Sequence, residues 1–214
     1  MIWAIVIILV LVAIIFLAWF FGEKTIVLRN IRKHQPQQIG SYREGAVGRV
    51  QGKIVFHGQT LRAPLSKREC AYYRVIVEEY RSSGKSGHWH KVIDDVKAGT
   101  VLINDGSGYA LINATSAKSF VAADTSYKSG TFNDAPADIE EYLKQHSRKS
   151  TGIFGWNKSM RYNEGILNEN ELIHVAGKGV WRDAKSLGFA LPVDKILVFS
   201  PEPDTKLYFT DLPV

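Results

Sequence analysis

The hydrophobic pattern of this chain changes abruptly after residue 21. Residues 2–21 contain no charged or amide residue and no Ser, Gly or Pro. At about 1.5 Å per residue, a helix of this length spans roughly 30 Å, the hydrocarbon thickness of a bilayer, and satisfies its own backbone hydrogen bonds. A cleaved signal peptide would need a basic start and a small-residue cleavage site, and a buried core helix is shorter. The pattern therefore predicts a transmembrane anchor over residues 1–22.

Basic residues lie on only one side of this apolar segment. Lys24, Arg29, Arg32 and Lys33 follow it, and no charged side chain precedes it. Because Lys and Arg are retained on the cytoplasmic side, the pattern predicts a single-pass protein whose remaining residues face the cytoplasm or its equivalent.

Residues 23–45 have weak periodicity, which predicts a juxtamembrane linker or a fraying helix. After them, strand patterns dominate. Residues 47–56 alternate between two faces, and residues 70–96 and 100–114 each have the pattern of a hairpin. Further strand-like segments are 161–168, 171–181, 195–200 and 206–210.

Residues 137–146 are the one soluble segment with clear helical periodicity. Ile139, Tyr142, Leu143 and His146 fall on one stripe of this helix. Several short strands with one inserted helix predict a mainly β (α+β) domain over residues 46–214, with a small OB-like β-barrel as the nearest standard architecture.

Charge and cysteine content narrow the class of protein. Residues 24–91 carry 14 Lys or Arg against 4 Glu, whereas residues 92–214 carry 13 against 16 Asp or Glu. The basic half is next to the predicted anchor, so attraction to anionic lipid headgroups accounts for it without nucleic acid. Cys70 is the only cysteine, which excludes an intrachain disulfide and zinc sites with several thiolates.

No residue set typical of catalysis, a cofactor or a metal is visible in the sequence. Cys70 begins a strand beside Glu69 rather than a cation, which favours a small core residue over a nucleophile. His88 and His90 share one face of a strand, but no third ligand stands at a recognisable spacing. The chain has no Walker motif and no Gly-x-Ser-x-Gly elbow. We expect no catalytic residue, no cofactor and no metal.

Two surfaces are candidates for binding. Ile153, Phe154 and Trp156 stand among Gly, Ser and Lys in a loop, so they either cap the barrel or contact a partner or lipid. The other surface mixes aromatic and basic residues of the first hairpin, as a site for single-stranded nucleic acid would. This mixture is also ordinary for a half-buried hairpin, so nucleic acid is disfavoured. The residues concerned are Tyr72, Tyr73, Arg74, Tyr80, Arg81 and Trp89.

Three segments in a fixed order carry a family resemblance. They are GRVQGKIVF leading into LRAPLSKRECAYYRV, then VLINDGSGYALI, then RYNEGILNENELIHVAGKGV. Their order after an N-terminal span resembles the GIDE ("beside a membrane") domain of membrane-bound E3 ubiquitin ligases and of bacterial proteins of the same build. The matching residues are Ala63, Pro64, Leu65, Ser66, Cys70, Tyr73, Glu164 and Gly177.

The resemblance implies a binding domain rather than a complete ligase. The ligases carry a second span and a RING finger, whose zinc ions need several Cys ligands, and these 214 residues contain one cysteine. The leading hypothesis is a membrane-anchored, non-catalytic, GIDE-type protein-binding module, and the resemblance to the bacterial members implies a bacterial inner membrane. Its expected partners are the lipid bilayer and a membrane or cytoplasmic protein. The alternatives are a component of an E3 ubiquitin ligase and a membrane-tethered binder of single-stranded nucleic acid.

Overall fold

The computed structural model describes residues 20, 22–84, 86–130, 133–152 and 156–214. Nearly all of the predicted anchor, residues 1–19 and 21, lies outside them. Among the described residues, no helix is both long and apolar enough to cross a membrane.

Strands account for most of the regular structure in the described residues. The two α-helices are α1 (Glu23–Arg32) and α2 (Ala137–Gln145). The strands are β1 (Pro36–Gln37), β2 (Val47–Val55), β3 (Leu61–Arg62), β4 (Glu69–Cys70), β5 (Tyr72–Ser83), β6 (Ser86–Ala98), β7 (Val101–Asn104), β8 (Tyr109–Ile112), β9 (Lys118–Phe120), β10 (Thr125–Ser129), β11 (Met160–Leu167), β12 (Leu172–Asp183), β13 (Lys195–Phe199) and β14 (Tyr208–Thr210).

These strands form three sheets. The largest has the order β1-β2-β7-β8-β13-β12-β14-β9, and β2 also pairs with β12. This additional pairing closes β2, β7, β8, β13 and β12 into a five-stranded β-barrel. A second sheet has the order β10-β11-β5-β6, and β3 pairs with β4 alone. The predicted mainly β class and the two predicted hairpins, β5–β6 and β7–β8, are confirmed.

The chain divides into two compact units, of which the first comprises Met1–Gly52, Asp105–Phe120 and Leu172–Val214. In this unit, α1 buries Val27 and Ile31 against Ala176. The two buried residues are four apart and share a helix face, and each contributes about 1.5–3 kcal/mol when fully buried. The predicted linker over residues 23–45 therefore begins with a packed helix.

The second unit comprises Lys53–Asn104 and Val121–Glu171. Here α2 packs Ile139, Tyr142 and Leu143 against one face of the sheet β10-β11-β5-β6, where Val75 and Val77 are buried. The predicted helix is confirmed with three of its four stripe residues buried, whereas His146 follows the last helical residue and is half-buried. The opposite face of this sheet carries the residues that alternate with Val75 and Val77 along β5, and it is the more exposed face.

Candidate functional site

Glu164 is a fully buried carboxylate in the second unit. Its oxygens accept hydrogen bonds from the backbone N–H groups of Leu65, at 2.6 Å, and Ser66, at 2.9 Å. The two N–H groups belong to the turn between β3 and β4. Pro64, Leu65, Ser66 and Glu164 all belong to the family resemblance, and the Glu164 carboxylate holds the turn that contains the other three. Because this carboxylate is closed to solvent, its role is structural.

Cys70 lies beside this turn and is also fully buried. It packs against Ala63 and Ile166, with Tyr73 partly buried at the edge of the cluster. Burial, with a further contribution from the negative charge of Glu164, raises the pKa of the Cys70 thiol to about 11. A thiol that stays protonated at neutral pH is a poor nucleophile, so the arrangement supports the core role expected for Cys70.

Gly177, the remaining residue of the resemblance, belongs to the first unit. Its carbonyl accepts a hydrogen bond from the Tyr42 hydroxyl at 3.1 Å, and a Cβ at this position would lie 2.9 Å from Leu207. The glycine is therefore closely packed, and a larger residue would have to displace the side chain of Leu207. Its position in the fold gives no indication of chemistry.

Asp105 ties the chain after α1 to the turn between β7 and β8. One carboxylate oxygen accepts hydrogen bonds from the N–H groups of Ser107, at 2.8 Å, and Gly108, at 3.1 Å. The other accepts the N–H of Ile39 at 2.8 Å. Ile39 is fully buried, so this contact fixes the second half of the predicted linker to the first unit.

A buried arginine with no Asp or Glu side-chain partner among the described residues lies in the same unit. Arg49 is 6% exposed, and its Nη2 lies 3.1 Å from Nδ1 of His174, which is 5% exposed. Nη2 also donates to the carbonyl of Val214 at 3.2 Å, and Nε has no hydrogen-bond partner in the described residues. Since a guanidinium can only donate, His174 must accept through Nδ1 and be neutral.

Folding stability is expected to fall below about pH 6.5 because of His174. Burial and the charge of Arg49 lower the pKa of His174 below its ordinary value of about 6.5. As the pH falls through 6.5, the unfolded chain binds a proton that the folded chain rejects, so the free energy of unfolding decreases. Urea unfolding at pH 7.5 and 5.5 measures this decrease. The variant His174→Asn keeps a hydrogen-bond acceptor but does not titrate, so its free energy of unfolding should decrease less between pH 7.5 and 5.5. Equal decreases in the two proteins would show that His174 is not the cause.

The exposed face of the sheet β10-β11-β5-β6 carries what we name the aromatic ladder, namely Tyr80, Trp89 and Arg161. Tyr80 and Trp89 are directly paired across β5 and β6, with ring centroids 5.4 Å apart in an edge-to-face arrangement. The guanidinium of Arg161 lies 4.5 Å from the centroid of the Trp89 ring. Tyr80 is 43% exposed and Trp89 37%. Two large rings are thus held in place while much of their surface faces solvent.

Carboxylates hold the basic residues of this face. Glu78 forms a bidentate pair with Arg161, its cross-strand partner. Asp94 accepts two hydrogen bonds from Arg74, at 2.8 and 2.9 Å, and another from Lys91. Hydrogen bonds from Arg74 lower the pKa of Asp94 to about 2, although burial opposes this shift. The face therefore keeps negative charges among its positive ones at neutral pH.

The predicted contact loop is only partly described, because Ile153 and Phe154 lie outside the described residues. Trp156 is described and is 71% exposed, the largest exposure of any large apolar side chain in the described part. Its carbonyl accepts the N–H of Gly152 at 2.8 Å, so backbone pairing holds the base of the loop. Trp156 is therefore largely exposed to solvent, and its contact with a partner or lipid stays a prediction.

A metal site at His88 and His90 was considered from sequence and disfavoured. The rings of His88 and His90 are 4.1 Å apart on the exposed hairpin. Among the described residues, no group of three or more His, Cys, Asp or Glu side chains could hold a metal ion. The sequence analysis did not identify Arg161 and Glu78, because their pairing depends on the register between β11 and β5.

Comparison with known proteins does not identify a family. The chain matches no protein-family model, no curated protein and no solved structure.

Proposed function

We propose that this chain is a membrane-anchored, non-catalytic protein-binding module of the GIDE type with an OB-like barrel, and that the aromatic ladder binds its partner. The single observation that carries the proposal is the pre-organised, solvent-facing arrangement of Tyr80, Trp89 and Arg161. Tyr, Trp and Arg are the residues most enriched among the energetic centres of protein interfaces.

The geometry of the ladder favours a protein partner over single-stranded nucleic acid. Bases bind by stacking on open aromatic faces. Here Arg161 covers a face of Trp89, and Tyr80 meets Trp89 edge to face. The carboxylates of Glu78 and Asp94 on this face would also repel phosphates. Rings already fixed by their neighbours lose little side-chain entropy when a protein binds.

The membrane anchor and the family belong to the same proposal. The uninterrupted apolar run over residues 2–21, followed by basic residues, supports a single span with the rest of the chain in the cytoplasm. The hydrogen bonds from Leu65 and Ser66 to Glu164 give these three residues of the resemblance a shared structural role. Nothing in the described residues favours a ligase component over a binding module.

Co-purification from native membranes tests this function. The tagged full chain should remain in the membrane pellet after alkaline carbonate extraction. A protein that co-purifies with it should be lost from Tyr80→Ser/Trp89→Ser by at least tenfold, because each interface centre contributes about 2 kcal/mol or more.

Tyr127→Ser is the matched control for the ladder variant. Tyr127 is 40% exposed on β10, at the other edge of the same sheet. This variant should keep the partner, and all three proteins should have the same melting temperature. Equal recovery of the partner by the ladder variant and the control would overturn the proposed binding surface.

A further inference from the structure

We infer that a cleft in the first unit binds a small zwitterion that carries one phosphate and one ammonium group. The cleft has a volume of about 400 Å³, which lies within the range of small-ligand sites. All the residues that line it belong to the first unit, whereas the aromatic ladder belongs to the second. The inference therefore goes beyond the proposed function and does not depend on it.

Two elements held by their own packing and hydrogen bonds contribute walls of this cleft. One is the end of α1, whose capping residue Lys33 lines the cleft and whose apolar face is buried. The other is a tight turn, in which the N–H of Glu202 donates to the carbonyl of Thr205 at 2.9 Å and the N–H of Thr205 donates to the carbonyl of Glu202 at 3.2 Å. The ammonium of Lys178 binds the Glu202 carboxylate at 2.7 Å. The cleft therefore has its shape before a ligand binds, which lowers the entropy cost of binding.

Three charged side chains line the cleft without an ion-pair partner among the described residues. The ammonium of Lys33 donates to the amide oxygen of Asn30 at 2.9 Å, but an amide does not neutralise its charge. Lys206 and Asp204 form no ion pair in the described part of the chain, and they do not pair with each other. The cleft thus presents two positive charges and one negative charge to a ligand.

The lining favours one phosphate joined to an ammonium group. Lysine binds as a compact point charge, which suits a phosphate, whereas a planar carboxylate is better matched by the arginine fork. None of the described residues that line the cleft is an arginine. A chain of several phosphates would bring excess negative charge against Asp204, but an ammonium group beside a single phosphate would pair with it. Val47, Ala176 and Tyr208 give the lining an uncharged part for the carbon chain between the two groups.

Calorimetric titration of the full chain in dodecyl maltoside, an uncharged detergent, tests the inference with glycerophosphoethanolamine as the probe. We expect saturable binding of this probe. Lys33→Ala/Lys206→Ala should weaken the binding about tenfold, because two charge-assisted hydrogen bonds to the phosphate are lost. All variants should keep the wild-type melting temperature, since the substituted side chains are exposed.

A second probe isolates the role of Asp204. Glycerol 3-phosphate carries the phosphate but no ammonium group. Asp204→Asn should weaken binding of glycerophosphoethanolamine about threefold to fivefold, as the loss of an exposed ion pair does, and should leave binding of glycerol 3-phosphate unchanged or tighter. Equal weakening of both probes would show that Asp204 does not meet an ammonium group, and the inference would be wrong.

Lys185→Ala/Lys195→Ala is the matched control for the lysine variant. Both lysines are exposed and belong to the same unit, but they do not line the cleft. This control should change binding by less than about twofold. Absence of saturable binding by the wild-type chain overturns the inference, and so does equal weakening by the lysine variant and the control.

The same zwitterion occurs in the headgroup of phosphatidylethanolamine and in soluble esters of phosphoethanolamine. Nanodiscs separate these two sources. If the lipid headgroup occupies the cleft, the soluble probe should bind more weakly in discs of phosphatidylethanolamine than in discs of digalactosyldiacylglycerol, which carries no phosphate. Equal binding in the two kinds of disc assigns the cleft to a soluble ester.

Discussion

Glu164→Ala should lower the free energy of unfolding by about 3–5 kcal/mol. The substitution leaves the N–H groups of Leu65 and Ser66 without their acceptor in a buried turn, at about 1–3 kcal/mol for each unsatisfied group. It also removes most of a fully buried side chain. Because a domain is stable by only about 5–15 kcal/mol, this change removes a large part of the total. Urea unfolding followed by tryptophan fluorescence measures the effect.

Two further variants distinguish the mechanism of this loss. Glu164→Gln retains one acceptor oxygen but places an amide donor against the second N–H. Its loss of unfolding free energy should therefore lie between zero and that of Glu164→Ala. Glu141→Ala removes an exposed carboxylate from α2 and should change stability by less than about 0.5 kcal/mol. If Glu164→Ala and Glu141→Ala unfold at the same urea concentration, Glu164 does not hold the turn.

Gly165→Ala should destabilise the chain by about 3 kcal/mol through a steric clash. A Cβ at Gly165 would lie 2.4 Å from the carbonyl oxygen of Ala122. This contact is with backbone that cannot rotate away, and the neighbouring Asp124 holds the crossing segment by accepting the N–H of Ile166 at 2.9 Å. Overpacking in a well-packed region costs about 1–3 kcal/mol, and more where backbone must move.

Gly130→Ala controls for the general effect of adding a methyl group. Its Cβ would meet no atom closer than 3.6 Å, and the backbone has no positive φ. At such a site alanine leaves stability unchanged or raises it slightly, because it restricts the unfolded chain. A melting temperature for Gly165→Ala equal to that of Gly130→Ala would show that the segment around Ala122 yields easily.

Periodic segments were predictable from the sequence because their pattern is local. The stripe of Ile139, Tyr142 and Leu143 predicted α2, and each residue is buried as expected. The helix α1 was less evident, because only Val27 and Ile31 are buried on a segment that is otherwise polar or half-exposed. Strand β10 was missed, since most of its residues are exposed at an edge of the sheet and show no alternation.

The candidate site was predictable only in part, for a related reason. The sequence left Trp156 open between capping the barrel and surface contact, and recognition of the aromatic ladder required the register between strands. Arg161 reaches Trp89 only because β11 pairs with β5 and β5 with β6. Glu164 was recognised as a residue of the family resemblance, but its partners Leu65 and Ser66 lie about 100 residues earlier in the chain.

The packed helix α1 has a consequence for how a partner is met. If residues 2–21 span the bilayer, only Gly22 separates the span from α1, whose Val27 and Ile31 are buried against the first unit. The hydrogen bond from the N–H of Ile39 to Asp105 also fixes the segment after α1 to the first unit. A long tether would let a domain search a volume of cytoplasm. With residues 2–21 in a bilayer, this short connection would confine encounters to lateral diffusion in a thin layer, where local concentration is high and modest affinity is sufficient.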